Sequence, residues 1–425
     1  MLRNRLLDLM RTRFGDEAPP LRLVFPDRDT FDFAPDPAAT ITFHSAEPLK
    51  ALLRGDLVRT ADAYVAGQIS VDGPIETVLK IGISLAEKLG RFPPLRGLSR
   101  IVALLPAVNS RNRDAANISH HYDVGNEFYR LWLDRQMIYS CAYFRSGHED
   151  IHAAQQQKLD HICRKLLLRP GERLLDIGCG WGGLLQWAAR HYGVNGVGVT
   201  LSERQYLSAR EAVASSGLSD LIEIRLQHYR EIGDREGFDK IVSVGMYEHV
   251  GLRNLPAYFQ TVASLLRPGG AFLNHGIVST DAAGRPRGPP GGRFINRHVF
   301  PGGAVPHLSR VLIELSQAGL EFADAEDLRP HYALTLQHWS RRLEACRDQA
   351  IDASGPEVFR TWRVFLAGMA YAFDHGWLSV AQVLSFKASS SGEVRRPWTR
   401  EYQYQEPGGP PETKPVRFAG KLDWT

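Results

Sequence analysis

The run from Leu174 to Gly183 constrains this chain more than any other segment, because an apolar strand leads directly into a glycine-rich turn. Gly178, Gly180 and Gly183 keep the spacing G-x-G-x-x-G ahead of a helical pattern. Glycines let the backbone approach a ligand closely, and the following helix presents unpaired N–H groups at its N-terminus. The segment therefore predicts a nucleotide site on a strand–turn–helix unit. The alternative is a glycine-rich turn without a nucleotide role.

Two neighbouring features favour S-adenosylmethionine (SAM) over NAD as the nucleotide. Asp176 lies near the end of the strand, just before the first glycine, where its carboxylate could meet the amino acid end of SAM. The next predicted strand ends in Thr200-Leu201-Ser202. An NAD site normally has an acidic residue at that position to bind the ribose. We therefore expect SAM as the cofactor.

Size and composition restrict the class of protein. At 425 residues, with 44% hydrophobic and 23% charged residues, the chain is long enough for two or three globular domains. The net charge of +4 permits an anionic membrane surface, and aromatic residues do not alternate with basic runs, so no nucleic acid is expected. The four cysteines lack metal-ligand spacing, so we expect no metal and a reducing cytoplasm. No apolar run predicts a membrane span, and the N-terminus does not resemble a signal peptide.

After the first hundred or so residues, strand and helix patterns alternate, which indicates an α/β domain with a Rossmann-like, mostly parallel sheet. The predicted strands are 173–177, 196–200, 222–226, 240–244 and 271–277, and the predicted helices are 183–192, 203–216 and 256–266. The predicted divisions are a small α+β N-terminal domain at 1–95, a linker at 96–117, the α/β domain at 118–390 with a non-sheet cap insertion at about 284–342, and a disordered tail at 391–425.

The N-terminal domain is expected to begin with a basic amphipathic helix, followed by strands at 21–25 and 39–43 and by helical stretches over 50–89. The first helix would place its apolar side chains opposite its arginines. One interpretation is an interfacial helix on anionic lipid, and the other is a helix packed on its own domain. The apolar set is Leu2, Leu6, Leu9, Met10 and Phe14, and the arginines are Arg3, Arg5, Arg11 and Arg13.

Polar residues at the carboxyl ends of the predicted strands carry the expected chemistry, because ligands of open α/β sheets bind there. Glu248 and His249 follow the fourth strand, and His275 lies in the fifth, so we expect all three to face one cleft. A partly buried carboxylate can act as a base, although Glu248 could instead be a helix N-terminal acid and His275 a core histidine. Cys141 could be a nucleophile or a buried structural thiol.

Seven segments together resemble the cyclopropane fatty acid synthases, a family of SAM-dependent lipid enzymes. The resemblance covers about 118–390. The matching segments are 120–126, 139–144, 178–183, 199–205, 248–251, 294–303 and 331–339.

The resemblance implies roles for the residues that match the family's motifs. Together with the glycine turn and the residues after the third strand, the expected cofactor-binding residues are Tyr139, Ser140, Asp176, Gly178, Gly180, Gly182, Thr200, Leu201, Gln205, Gln227 and His228. The expected catalytic residues, which would hold a bicarbonate ion, are Cys141, Glu248, His275, the backbone of Ile277 and Tyr332. Relatives commonly carry an acid in place of His228, which leaves the contact with the adenine amino group open.

The resemblance also implies an activity: transfer of a methylene group from SAM to the double bond of an unsaturated phospholipid acyl chain, which forms a cyclopropane ring. The expected partner is a phospholipid bilayer, with the enzyme in the cytoplasm and peripheral to the inner face of the membrane. The oligomeric state stays open, a homodimer included. The alternatives are a related methyltransferase that makes a methyl- or methylene-branched chain, and a non-catalytic lipid-binding protein.

Overall fold

A computed structural model of the protein describes residues 2–15, 18–88, 124–282, 292–300 and 303–404. The predicted linker at 96–117, the first residues of the predicted α/β domain, parts of the predicted cap and residues 405–425 of the predicted tail lie outside these ranges. The described residues form a four-stranded sheet and a seven-stranded sheet. None of their helices combines the length and the apolar character that a membrane crossing requires.

The four-stranded sheet and its helices confirm the small α+β unit near the N-terminus. β1 pairs with β3 in parallel, and the pairs β1–β2 and β3–β4 are antiparallel. The strands are β1 Leu21–Val24, β2 Thr30–Asp32, β3 Ala39–Phe43 and β4 Ile69–Asp72. The helices are α1 Leu2–Phe14, α2 Ala46–Leu53, α3 Leu57–Val65 and α4 Ile75–Lys88.

Strand β4 lies between helices of the range 50–89, for which the sequence predicts only helical stretches. Ile69 and Val71 are buried, whereas Ser70 and Asp72 are exposed, so the segment has the two-residue period of a half-buried strand. The alternation of apolar and polar residues in β4 spans only four residues. It is therefore too short to be recognised between the longer helical patterns on either side. The strand forms because β3 offers a paired edge.

Helix α1 confirms the predicted N-terminal helix and distinguishes between its two interpretations. Leu6, Leu7 and Met10 are buried in a core that includes β1, β3 and α4. Of the arginines, Arg3 pairs with Asp29, and Arg13 donates to the carbonyl of Ser84. The structure therefore corresponds to the packed interpretation: Leu6 and Met10 are buried, and Leu9 and Phe14 are partly buried against the same core.

The seven-stranded sheet confirms the Rossmann-like, mostly parallel α/β fold. Its order is β10-β11-β9-β8-β5-β6-β7, and β11 alone among these seven strands runs against the others. The strands are β5 Arg173–Ile177, β6 Asn195–Thr200, β7 Ile222–Leu226, β8 Phe238–Val244, β9 Leu266–Ser279, β10 Leu320–Asp327 and β11 Leu378–Lys387.

Helices cover this sheet and connect its parallel strands. Buried side chains of α6, α7 and α8 pack with one part of the sheet, and those of α10 and α12 with another. The helices are α5 Asn126–Trp132, α6 Ile151–Lys165, α7 Gly183–Tyr192, α8 Glu203–Ser215, α9 Tyr247–Val250, α10 Leu255–Leu265, α11 Gly292–His298, α12 Leu308–Gln317, α13 Arg329–Ala345, α14 Arg347–Ser354 and α15 Pro356–Asp374.

Two further predictions are corrected by the strands and contacts of the C-terminal part. The predicted non-sheet cap at about 284–342 contains β10, whose acidic residues mask its strand pattern. The tail predicted at 391–425 is ordered through residue 404: Arg400 pairs with Asp324 at 2.7 Å, and the carbonyl of Gln403 lies 3.4 Å from His161 Nδ1. Strand β11 was not predicted. Through Arg400, the segment that follows β11 contacts the edge strand β10.

Arg363 connects helix α15 of the α/β domain with the four-stranded sheet. Its guanidinium on α15 is buried and donates to the carbonyls of Val71, at 3.0 Å, and Gly73, at 2.8 Å. It also donates to the hydroxyl of Tyr64 at 3.0 Å and pairs with Glu344. Because β4 is an edge strand, these carbonyls have no partner strand beyond them. Arg363 therefore satisfies polar groups of the N-terminal sheet from a helix of the α/β domain.

Replacement of Arg363 by Met should lower the free energy of unfolding by about 3 kcal/mol or more, because buried carbonyls and a carboxylate lose a charged partner. Urea unfolding followed by tryptophan fluorescence measures this loss. Arg22→Met is the matched control, since it removes the exposed pair with Asp32 and should leave the midpoint close to that of wild type. An equal midpoint shift in the two variants would contradict the assigned role of Arg363.

Candidate active site

The glycine turn after β5 adopts a backbone conformation that side chains other than glycine rarely take. Gly178, Gly180 and Gly182 have φ angles of 86°, 55° and 79°. The N–H of Gly178 donates to the carbonyl of Val199 at 2.9 Å, which ties the turn to β6. A Cβ at Gly178 would meet the Met246 side chain at 3.0 Å, whereas a Cβ at Gly180 would enter open space. The turn thus leaves room for a ligand beside its backbone.

A cavity opens at this turn, where the parallel strands β5, β6, β7 and β8 end. We call it the cofactor cavity. Gly182 lies just outside its lining, as the residue that precedes α7. The predicted cofactor residues that line the cavity are Tyr139, Ser140, Asp176, Gly178, Gly180, Thr200, Leu201, Gln205, Gln227 and His228.

The end of β6 is held by a short chain of hydrogen bonds. Thr200 Oγ1 donates to Gln205 Oε1 at 2.9 Å and accepts from the N–H of Ser202 at 3.2 Å. Ser202 Oγ in turn accepts from the N–H of Gln205 at 3.3 Å and begins α8. These bonds fix the Thr200 hydroxyl and the Gln205 amide at the cavity wall.

His228 differs from a carboxylate in the hydrogen bonds it can make. Its Nδ1 accepts from the N–H of Arg230 at 3.1 Å, so the neutral ring carries its proton on Nε2. The ring also stacks on Tyr229, with 4.6 Å between centroids. An acid at this position would offer oxygen acceptors to an adenine amino group, whereas Nε2–H is a donor. In this tautomer the His228 ring does not replace the carboxylate as an acceptor, and of the two predicted routes to the adenine amino group, a ring nitrogen or a backbone group, the backbone route fits this geometry.

Lys158 is a cavity residue that the sequence reasoning missed. It lies on α6, is 2% exposed, and donates from Nζ to Ser140 Oγ at 2.9 Å. Burial lowers the pKa of Lys158 to about 8 and raises the pKa of the neighbouring Asp176 to about 7. The sequence contained a signal: Ala154, Lys158 and Ile162 follow helical spacing, so the lysine lies on the apolar face of its helix.

Glu248 lies beside β9, and its two carboxylate oxygens differ. Oε1 accepts from the N–H of Ile277 at 2.7 Å, whereas Oε2 is buried with no hydrogen-bond partner in the described part of the chain. Burial raises the pKa of Glu248 to about 7, against the effect of the Ile277 N–H. Near neutral pH this carboxyl group can therefore either hold or release a proton.

His275 provides a second buried polar atom. The Gln382 amide donates to its Nδ1 at 3.1 Å, which places the ring proton on Nε2. Within the described ranges, Nε2 has no hydrogen-bond partner. Burial lowers the pKa of His275 well below its usual value, so the ring is neutral. His275 and Ile277 are two residues apart on β9, so their side chains project to the same face of the sheet.

Cys141 and Tyr332 meet at the start of α13. The carbonyl of Leu328 accepts from the N–H of Tyr332 at 3.0 Å and from Cys141 Sγ at 3.8 Å. The N–H of Leu328 donates to Val380, which pairs with Ile277 in the sheet. Burial raises the pKa of Cys141 well above its usual value, so the group is a thiol and not the thiolate that a nucleophile needs.

These contacts link the predicted catalytic residues through the backbone at the junction of β9, β11 and α13. The expectation of one shared cleft for Glu248, His249 and His275 is corrected: of the three, His249 lines the cofactor cavity. Successive residues of the short helix α9 point about 100° apart, so Glu248 turns toward β9 instead. Burial lowers the pKa of His249 to about 4, which keeps its ring neutral at the cavity wall.

Comparisons with known proteins identify the family of the chain. The family model described as mycolic acid cyclopropane synthetase matches residues 109–383. A Pseudomonas putida protein named "Probable fatty acid methyltransferase" is 42% identical over 390 residues, which are 91% of this chain and 96% of that protein. The cyclopropane-fatty-acyl-phospholipid synthase of Escherichia coli K12 is 39% identical over 274 residues, covering 64% of this chain and 68% of the synthase.

A solved structure also resembles the chain. The crystal structure of mycolic acid cyclopropane synthase CmaA1, complexed with SAH and CTAB, has a TM-score of 0.61 and 36% identity. The match covers 64% of this chain and 98% of that protein. The resemblance drawn from the sequence motifs is thereby confirmed. The chain belongs to the mycolic acid cyclopropane synthetase family and is a SAM-dependent methyltransferase.

Proposed function

We propose that this enzyme transfers a methylene group from SAM to the double bond of an unsaturated phospholipid acyl chain and closes a cyclopropane ring. The observation that carries the proposal is the pair of buried polar atoms, Glu248 Oε2 and His275 Nε2, that have no partner in the described ranges. Buried polar atoms normally bind a protein group, a water or a ligand. Ring closure needs a base beside the reacting carbons, and these two atoms are suited to hold one.

A bicarbonate ion fits this pair of atoms. It accepts hydrogen bonds, so His275 Nε2–H can donate to it, and the carboxyl of Glu248 can donate in its protonated form or accept the ion's own proton. The resemblance to the family gives Cys141 and Tyr332 a further share in holding the ion, and the backbone of Tyr332 and the thiol of Cys141 share the Leu328 carbonyl as an acceptor. When bound, bicarbonate would supply a base for a proton of the newly added methyl group.

SAM supplies an electrophilic methyl group, and the cofactor cavity would hold it through the glycine turn, Asp176 and the Thr200–Gln205 pair. Attack by the alkene leaves a carbocation on the acyl chain, which water would trap. The protein excludes water with aromatic rings: Trp339 lies 5.3 Å from Tyr139 and 6.3 Å from Tyr332, measured between centroids. Aromatic faces also attract a cation by about 0.5 to 2 kcal/mol per ring.

The second candidate is a related methyltransferase that leaves a methyl or methylene branch in place of the ring. The name of the Pseudomonas putida relative, a fatty acid methyltransferase, favours it. Both reactions begin with methyl transfer to the same double bond. They differ in the carbon of the cation that next loses a proton to the base. The position of the base relative to the added methyl group therefore decides between them.

The substrate lies in a bilayer, so the enzyme is expected to act in the cytoplasm at the inner face of the membrane. The basic helix α1 does not provide an apolar anchor for this, because Leu6, Leu7 and Met10 are buried. A surface other than the leucine face of α1 would have to meet the lipid.

Glu248→Gln should retain SAH binding and lower turnover by about 100-fold or more, because both proton transfer and electrostatic stabilisation are lost. With SAM at saturating concentration, so that the ionisation of Asp176 does not limit turnover, wild-type turnover should change with pH near the Glu248 pKa of about 7, and this dependence should vanish in the variant. Glu314→Gln, which changes a buried glutamate that pairs with Arg310, is the matched control and should keep turnover near wild type. Wild-type turnover in Glu248→Gln would remove this residue from the reaction.

The product distinguishes the two candidate functions. Lipids extracted from cells that express the enzyme, and from cells that do not, can be compared by proton NMR and mass spectrometry. We expect a gain of one methylene per acyl chain, together with the high-field proton signals of a cyclopropane ring. Vinylidene protons, or a new methyl branch without ring protons, would contradict ring closure and assign the enzyme to the branching reaction.

A further inference from the structure

Lys158 occupies a position where a positive charge is costly. It lies on the apolar face of α6 with Ala154 and Ile162, both fully buried, and is itself 2% exposed. An ammonium group removed from water is destabilising unless it is paired or hydrogen-bonded. The same side chain lines the cofactor cavity. Neither the glycine turn nor the predicted catalytic residues account for a lysine at this place.

Two residues near Lys158, Ser140 and Asp176, are already expected to bind the cofactor. The Nζ of Lys158 donates to Ser140 Oγ at 2.9 Å, and its charge acts on Asp134 first, and also on Cys141 and Asp176. Asp134 already accepts from the N–H groups of Gln136, at 2.9 Å, and Ile138, at 2.8 Å. Asp176 Oδ1, in contrast, is buried without a hydrogen-bond partner in the described ranges. Asp176 therefore retains an acceptor for a donor group of a ligand.

We propose that Lys158 is a positioning residue for the cofactor: it orients the Ser140 hydroxyl and balances the charge of Asp176, so that the cavity presents both groups to the amino acid end of SAM. The proposal rests on the cofactor cavity assigned above. It explains why a lysine lies on the apolar face of α6. It also gives Asp176 a counter-charge within the protein that is in place before the ammonium group of the ligand arrives.

The charges of Lys158 and Asp176 make the affinity for SAH depend on pH. Burial raises the pKa of Asp176 to about 7, and Lys158 opposes this rise. Asp176 must be ionised to accept the ligand's ammonium group, so affinity should fall as the pH drops through this value. Without Lys158 the pKa of Asp176 rises further, and the fall should begin at a higher pH. The other titratable groups facing the pair are Asp134, Cys141, Cys179, Tyr258 and His275.

Calorimetric titration of the full chain with SAH, from about pH 6 to about pH 9, tests the proposal. Lys158→Met should weaken SAH binding by about tenfold or more at neutral pH, the order expected for a lost charge-assisted contact. It should also move to higher pH the range in which SAH affinity falls on acidification, which we call the acid limb. Lys240→Met is the matched control: Lys240 is also buried, and it pairs with Glu172 at the amino end of the same sheet. It should leave SAH affinity and the acid limb unchanged.

Three further variants separate the contributions of charge and hydroxyl. Asp176→Asn, which preserves shape, should abolish the acid limb and so provides a test even if Lys158→Met does not fold. Lys158→Arg should keep the acid limb of wild type because it keeps the charge. Ser140→Ala should weaken SAH binding without moving the limb.

An acid limb that persists in Asp176→Asn, or a folded Lys158→Met with wild-type affinity and limb, would overturn the proposal. Wild-type protein that binds no SAH would contradict the cofactor cavity itself, and with it this proposal. The identity of the lipid product does not enter these measurements. Failure of the proposed ring closure and failure of the Lys158 assignment are therefore distinguishable.

Discussion

The site depends on the burial of ionisable groups at the edge where the parallel strands end. Asp176 and Glu248 each have a pKa near 7 because burial disfavours their charged forms, and His249 and His275 are held neutral for the same reason. Such a cluster is costly to fold, so each group has a specific partner or a place for a ligand. Water that stabilised these charges would also trap a carbocation, which makes the dry environment a requirement of the proposed chemistry.

The sheet keeps this cluster in register. Ile277 on β9 donates to Glu248, pairs with Val380 on β11, and through Val380 is connected to Leu328. Gly276 is needed between the two functional positions of β9, because a Cβ there would come within 1.7 Å of the Tyr247 ring. Tyr247 also donates from its hydroxyl to the carbonyl of Ile277. The glycine thus lets the residue before Glu248 pack flat on the strand.

Strong apolar patterns bounded by glycine allowed the parallel strands β5 to β8 to be predicted to within a few residues, and the motifs of the family supplied most of the cavity lining. The sequence analysis failed where tertiary contacts override the local pattern. Strand β10 carries Glu326 and Asp324 in place of an apolar alternation, and these are neutralised by Lys165 and Arg400 from distant segments. Lys158 was missed because a single charge on an apolar helix face gains meaning only once its neighbours are known. The leucines of α1 have helical spacing in either interpretation, and packing alone decides between them.

The central claim is that Glu248 and His275 hold a bicarbonate ion that takes part in ring closure. The most direct test is the turnover of purified enzyme with phospholipid vesicles and SAM in buffer freed of carbon dioxide, followed by return of bicarbonate. The account predicts that turnover falls on depletion and is restored by added bicarbonate, with little response in Glu248→Gln. Full turnover of the wild-type enzyme in bicarbonate-free buffer would contradict it and would leave the Glu248 carboxylate as the base itself.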